Sequence, residues 1–243
     1  MQEALKILAL NSSPRKTRGG TALVLNTFLE GAKEAGAEID LVYVDDLKVK
    51  ACLGCFTCWV KTPGQCVHKD DMADLLTKHQ TTDVLVLATP VFCDGMTSTL
   101  KAVLDRTIPL VQPFFEVRDD HCRHPPSGDR KINKVVLVSV SGFTELDNFD
   151  PLVAHIKAYC KNLNSEFVGA ILRPMGAQLH VFKQMGVQVD DIFKAIKQAG
   201  RELVQAGTIK PNTQKTIRRE IVPRDEYIKA INASFQRQLD AIK

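Results

Sequence analysis

The sequence predicts an α/β fold: a doubly wound, five-stranded parallel sheet with helices on both faces, followed by a C-terminal helical extension. Three observations predict it. Five short runs rich in Val, Ile and Leu lie at 5–10, 39–44, 84–88, 135–140 and 167–172, as strands buried on both faces require. Five segments with apolar residues at helical spacing alternate with them, at 22–35, 72–80, 97–107, 152–162 and 189–205. Alternation of strand and helix is the mark of parallel crossover units, whose fixed handedness admits few strand orders. In the order 2-1-3-4-5 the winding reverses between the first and third strands, and ligands bind outside the carboxyl edge at that point.

The 243 residues, 44% of them hydrophobic, suffice for one large core. The expected organisation is an α/β unit over 1–207, carrying a cysteine loop at 51–67 and a flap insertion at 112–131, then a linker and helix over 208–243. Lys and Arg number 32 against 28 Asp and Glu, a formal charge of +4 with the cations scattered, which argues against a nucleic-acid partner. Residues 1–10 lack the features of a secretory leader, and no window approaches the roughly 20 apolar residues of a membrane span. A cytoplasmic location is expected.

The first strand runs into Asn11-Ser12-Ser13-Pro14-Arg15-Lys16-Thr17-Arg18-Gly19-Gly20-Thr21, ahead of the first helix. A helix N-terminus offers unpaired N–H groups and a partial positive charge, and small residues let an anion approach them. Ser12, Ser13, Arg15, Lys16, Gly19, Gly20 and Thr21 are therefore candidate phosphate ligands. On this stretch alone a polar loop whose hydroxyls merely cap the helix stays open. There is no G-x-x-x-x-G-K-[ST] and no G-x-G-x-x-G, so neither familiar nucleotide loop applies. After the third strand, Thr89-Pro90-Val91-Phe92-Cys93-Asp94-Gly95-Met96 offers an apolar border with backbone donors, suited to a flat ring. Pro90, Val91, Phe92, Cys93, Gly95 and Met96 are its candidate residues, against a plain turn set by Pro90 and Gly95. The fourth strand adds Ser141, Gly142 and Phe143 at the same edge. A phosphate and a flat apolar ring at one switch point read as a mononucleotide with an aromatic head. No acidic cluster follows the first strand, as in a response regulator, and no C-x5-R loop, as in a small tyrosine phosphatase.

Four of the seven cysteines, Cys52, Cys55, Cys58 and Cys66, fall in one loop with the spacing C-x2-C-x2-C-x7-C. Three close ligands with a fourth returning after Pro63-Gly64 suit a cubane iron–sulfur cluster. Zinc, which more often uses two separated C-x2-C knuckles, and free redox-active thiols remain alternatives. Asp70-Asp71 reads as the cap of the next helix. Cys160 reads as core, and Cys93 as a packed small residue. In the insertion, His121, Cys122 and His124 lack an evident fourth ligand, so a flap over the ring site is the preferred reading. After a Lys- and Thr-containing linker, Pro223 opens a helix whose Ile228, Ile231, Phe235, Leu239 and Ile242 form one apolar stripe, for packing on its own domain or on a neighbouring subunit.

Ser13-Pro14-Arg15-Lys16 with Gly20-Thr21, Thr89-Pro90-Val91-Phe92, and Lys-Ala-Val-Leu-Asp-Arg at 101–106 resemble the flavodoxin-fold NAD(P)H-dependent FMN reductase superfamily, over about residues 5–206. The cysteine loop resembles its iron-sulfur flavoprotein branch. The resemblance implies a flavodoxin-like sheet, FMN held by the first loop with its ring at the loop from Pro90, and NAD(P)H as donor. It also implies a [4Fe-4S] cluster on the four cysteines, a homodimer or homotetramer, and a small-molecule acceptor or an electron-transfer protein as partner. No side-chain acid or base is required, since the flavin carries the chemistry. Two rivals are a non-enzymatic flavodoxin-like electron carrier, for which an isoelectric point near 8.6 and the extensions are unusual, and a zinc-stabilised binding module.

Overall fold

The computed structural model describes residues 3–128 and 132–242; positions 129–131 of the expected flap and positions 1, 2 and 243 lie outside the described residues. In chain order the elements are β1 (Lys6–Asn11), α1 (Gly20–Glu34), β2 (Glu38–Tyr43), a one-turn α2 (Thr57–Val60), α3 (Met72–Thr81), β3 (Val84–Pro90) and α4 (Ser98–Asp105). A hairpin of β4 (Glu116–Arg118) and β5 (His121–Arg123) follows, then β6 (Lys134–Val140), α5 (Asp150–Asn162) and β7 (Glu166–Arg173). The chain continues through α6 (Leu179–Gln184), α7 (Asp190–Ala206), α8 (Pro211–Arg218) and α9 (Arg224–Asp240).

The main sheet has the order β2-β1-β3-β6-β7 with every pairing parallel, which is the expected 2-1-3-4-5 among its own five strands. The two-residue alternation of a strand sorts its side chains onto two cores. Ile7, Ala9, Val84 and Val86 meet Val24, Leu25 and Phe28 of α1 and Ile192 and Ile196 of α7. Leu8, Leu10, Leu85 and Leu87 meet Leu75 of α3, Leu100 and Val103 of α4, and Leu152 and Ile156 of α5. Cys160 is core, as its position predicts.

Helices α1 and α7 approach closely because both carry glycine at the contact. A Cβ on Gly31 would stand 1.8 Å from the Lys197 carbonyl, and one on Gly200 would stand 2.0 Å from that of Phe28. Lys197 pairs with Glu30 and Glu34, and Arg201 with Glu34, along the rim of this contact.

The expected linker after 207 contains a helix. Helix α8 packs its Ile217, fully buried, beside β7 and α7. Arg173, at the end of β7 and also fully buried, donates from Nη1 to the carbonyls of Ile217 at 2.5 Å and Arg219 at 2.9 Å. Burial, with Arg219 nearby, lowers its guanidinium pKa to about 10. The carbonyl ends of α8 supply the partial negative charge that it faces. Helix α9 lies further out, with Ile228, Phe235, Leu239 and Ile242 exposed. No helix among the described residues is long and apolar enough to cross a membrane.

Replacing Gly200 by Ala drives a methyl group into backbone that cannot yield. Chemical denaturation should show the variant less stable by about 2–3 kcal/mol.

Candidate functional site

Four loops meet at the carboxyl edge of the sheet, and backbone hydrogen bonds join each to the next. Ser12 N–H and Oγ–H both donate to the Ala88 carbonyl, at 2.9 and 3.1 Å, tying the loop after β1 to β3. Val91 N–H donates to Val140 at 2.9 Å, and Gly176 N–H to Ser141 at 3.1 Å. Gly20 closes the ring: a Cβ there would stand 2.3 Å from the Gly176 carbonyl oxygen. The enclosed cleft is walled by Ser13, Pro14, Arg15, Gly19, Gly20 and Thr21 on one side. Pro90, Val91, Phe92, Val140, Ser141, Gly142 and Ala177 complete it.

The first wall suits an anion. No side chain caps α1, so the N–H groups of its first turn are left to a ligand or solvent. Gly19 keeps the approach open, since a Cβ would fall 2.8 Å from Ser13 Oγ and 3.1 Å from Arg15 Cβ. Asn11 is buried at the base, with Oδ1 accepting from Ser13 N–H at 2.9 Å and Nδ2 without a partner among the described residues. These features fit a terminal phosphate. The second wall is apolar and ends in a tight turn, with Phe92 and Gly95 exchanging N–H···O bonds of 2.9 and 3.0 Å across Cys93 and Asp94.

Of the candidate residues, Ser13, Arg15, Gly19, Gly20, Thr21, Pro90, Val91, Phe92, Ser141 and Gly142 line this cleft. Six others lie beside it. Ser12 is turned to the Ala88 carbonyl, Lys16 pairs with Asp46, and Met96 packs into the lower core. Cys93 and Gly95 form the turn beyond Phe92, and Phe143 points outward, two-thirds exposed. Cys93 is exposed, so the packed reading of that residue is corrected: positive φ at Cys93 and Asp94 makes them the two corner residues of the turn. Pro14, Val140 and Ala177 are additions. Ala177 follows the fifth strand of the main sheet, and the rule that every strand's carboxyl end faces the site would have found it.

The cysteine loop is a second feature, held by one buried ion pair. Arg106, at the end of α4 and 2% exposed, sends Nη1 and Nη2 to the two carboxylate oxygens of Asp70, each at 2.9 Å. Nη1 also donates to the Lys50 carbonyl at 2.7 Å, so both ends of the loop are fixed to one guanidinium. The Arg106 fork holds the Asp70 carboxyl at about 2, well below its ordinary 3.8. Cys66 stands near the same guanidinium. The capping expectation for this pair is therefore corrected: Asp71 accepts from Lys48 N–H, and Asp70 serves Arg106 first, with a longer 3.3 Å bond from Met72 N–H.

All four loop cysteines are free thiols. Burial, followed by the charges of Cys66, Cys52 and Cys55, pushes the Cys58 thiol up, so the four are within electrostatic reach of one another. The Thr57 hydroxyl and N–H draw the Cys55 thiol down. Their donor chemistry suits iron–sulfur or zinc, but among the described residues no three Cys, His, Asp or Glu side chains are gathered to hold a metal. That holds for His121, Cys122 and His124 too. The expected flap also differs in place: residues 112–128 contribute nothing to the wall of this first cleft, and the hairpin packs on Trp59 instead.

The family model described as NADPH-dependent FMN reductase matches residues 5–142, more than half of the chain, with the first two site loops and the start of the third. An iron-sulfur flavoprotein of Archaeoglobus fulgidus is 34% identical over 103 residues, 42% of this chain and 49% of its own length. One from Methanocaldococcus jannaschii is 32% identical over 106 residues, 44% and 53% of the two chains. The chain thus spans about half the length of the curated relatives it matches. Among solved structures, an FMN-dependent NADH-azoreductase of Bacillus anthracis in complex with FMN superposes with a TM-score of 0.61 at 18% identity, over 83% of this chain and 100% of that one. An NAD(P)H:quinone oxidoreductase of Methanothermobacter marburgensis gives 0.57 at 15%, over 83% and 98%. At these identities the two bear on the fold, which is flavodoxin-like.

The ion pair predicts an acid signature. Asp70 favours the fold fully above about pH 4 and loses about 2 kcal/mol of that contribution as pH falls through its folded pKa near 2. In urea titrations across pH 2–5, Asp70→Asn should lack this step and be less stable at neutral pH by about 3–5 kcal/mol, because it strands a buried guanidinium.

Proposed function

The chain belongs to the NADPH-dependent FMN reductase family, and on that premise we propose that it is an FMN-dependent oxidoreductase that takes reducing equivalents from NAD(P)H. The observation that carries this reading is the uncapped α1 N-terminus facing the Pro90–Phe92 wall within one cleft. Bound there, FMN would supply the hydride and electron chemistry. The chain's own residues do the rest. Gly19, Gly20 and Thr21 would offer backbone N–H groups to the phosphate, Ser13 and Thr21 their hydroxyls, and Arg15 its charge. Pro90, Val91 and Phe92 would border the ring, and Ser141 and Gly142 close its far side. A cleft of about 200 Å³ is small beside ordinary small-molecule pockets of roughly 300–1,000 Å³, so part of a bound FMN would stand outside it, within reach of donor and acceptor.

Three finer readings rest on this one. Cys52, Cys55, Cys58 and Cys66 are proposed as ligands of an iron–sulfur cluster, supported by their spacing and mutual electrostatic reach. The loop would have to close to gather them. Seven free thiols suit a reducing compartment, and a cytoplasmic location is proposed accordingly. The exposed stripe of α9 is proposed as a contact in a homodimer or homotetramer, and a small molecule or an electron-transfer protein as the acceptor.

The first test is an absorption spectrum of protein purified without oxygen, with iron and sulfide analysis and an NAD(P)H oxidation assay. Flavin bands with steady NAD(P)H turnover are expected, and about four irons per chain if the thiols carry a cubane. Protein that neither retains nor binds FMN would overturn the main reading, whereas flavin without iron would remove only the cluster. Gly19→Ala should weaken FMN binding about tenfold or more, read by flavin fluorescence, by narrowing the phosphate approach. Removing residues 223–243, which leaves the buried Ile217 in place, should lower the oligomeric mass by light scattering; an unchanged mass would exclude α9 as the contact.

A further inference from the structure

A second cleft, sharing no residue with the first, opens where the β4–β5 hairpin lies over the cysteine loop. Its volume is about 590 Å³, within the range of small-molecule sites. The floor is apolar, formed by Leu104 of α4, Ile108 and Val111 after it, and Leu163 after α5. Its aromatic side is organised around one side chain. The Trp59 indole N–H is shared between the carbonyls of Val111 at 2.8 Å and Ile108 at 3.2 Å, which fixes the plane of the ring. His124 packs on Trp59 with centroids 4.8 Å apart, and Phe115 meets His124 edge-on at 5.1 Å. His124 Nδ1–H donates to the Phe114 carbonyl at 3.0 Å, so this ring too is held from its backbone side.

The polar part of the lining holds one carboxylate and one guanidinium, and the carboxylate is already paired. Asp105 is paired with Lys101 at 2.5 Å. Arg123 donates from Nη1 to Asn162 Oδ1 at 2.7 Å and meets no carboxylate among the described residues. Its Nε–Nη2 edge, the side of a guanidinium that takes a carboxylate in two parallel bonds, has no partner among the described residues. The cleft therefore joins a pinned aromatic wall to a planar anion-binding fork. A flat protein contact would need neither the enclosed volume nor the fixed rings.

We propose that this cleft binds a planar aromatic carboxylate, its ring against Trp59, His124 and Phe115 and its carboxylate on the free edge of Arg123. With Trp59 stacked on Phe56, centroids 5.0 Å apart, and packed by His124, edge contacts would orient the ring. The guanidinium would select the acid over a neutral analogue of the same shape. Trp59 follows Cys58 directly in sequence, so an occupied cleft would also brace one wall of the cysteine loop.

The test uses full-length protein saturated with FMN, 2-naphthoate as probe and its neutral analogue 2-naphthalenemethanol, with affinities from calorimetry. Trp59 is the only tryptophan, so a labelled sample gives one indole N–H resonance that reports where the probe sits. Expected are saturable one-to-one binding of 2-naphthoate, a shift of the Trp59 indole resonance, and an affinity about tenfold weaker in Arg123→Gln. The neutral analogue should bind about tenfold more weakly to the parent protein and be indifferent to that substitution. Arg123 shares no contact with the first cleft, and unchanged FMN affinity would show the variant intact. The proposal is overturned by absence of saturable binding, by release of FMN as the probe binds, by an unmoved indole resonance, or by equal affinity in Arg123→Gln.

Discussion

A parallel sheet covered on both faces leaves its chemistry only one place to go. The ladder takes up the backbone groups along the middle of the central strands, and residues 7–10, 84–88 and 135–138 are buried between layers, so polar groups accumulate where strands end. Here β1 and β3 are neighbours whose following helices depart to opposite faces. The loops after them must separate, and the cleft is that separation. The remaining loops join it through backbone hydrogen bonds in register with the strands, which is why residues 12, 91, 141 and 176, distant in sequence, frame one site.

Two buried guanidiniums attach what the sheet does not hold. Arg106 fixes the cysteine loop at both ends through Asp70 and the Lys50 carbonyl. Arg173 fixes the segment after α8 through the Ile217 and Arg219 carbonyls. The two solve the same desolvation problem differently. Arg106 has a carboxylate, and its charge is kept although burial opposes it. Arg173 has carbonyl oxygens of a helix end, which compensate less, and its pKa falls. From that anchored segment Tyr227 reaches back, its hydroxyl 2.7 Å from the Gly142 carbonyl and 2.8 Å from Gln178 Oε1. The extension thus touches a residue of the cleft wall, a mechanical link between α9 and the third site loop.

The five strands of the main sheet and the helices around them were legible because burial on two faces leaves long apolar runs, and amphipathic spacing marks the helices between them. Strand ends such as Asn11 and Val140 fell within two residues of expectation. The small-residue wall at the start of α1 was legible for a related reason: Gly19, Gly20 and Thr21 leave a helix start open, and the structure places all three in the cleft. What escaped was decided by contacts distant in sequence. Nothing local shows that Lys16 meets Asp46, that Ser12 turns to Ala88, or that Asp70 faces Arg106 rather than a helix end. The hairpin was misplaced because a short polar insertion carries no periodicity to say which cleft it covers, and only the ring contacts of Trp59 and His124 settle that. Helix α8 escaped because most of its residues are polar, and Ile217 alone makes its buried contact.

Backbone strain gives an independent indication of where the chain was built for something other than stability. Eight described residues other than glycine have positive φ. Lys16 follows β1, Phe56 lies beyond β2, Cys93 and Asp94 follow β3, and Met175 follows β7, so five of the eight stand in loops leaving the carboxyl edge. Two more, Asp119 and Asp120, make the hairpin turn, where Asp is among the residues that tolerate the conformation. Lys, Phe and Met are not, and each such residue costs of order 1–3 kcal/mol unless its surroundings impose the geometry. Met175 shows how they do: its N–H is held by Phe143 and its side chain is 1% exposed. The same edge that the sheet's topology selects is therefore where the chain tolerates its least favourable backbone, and the cysteine loop, through Phe56, shares that character with the cleft at that edge.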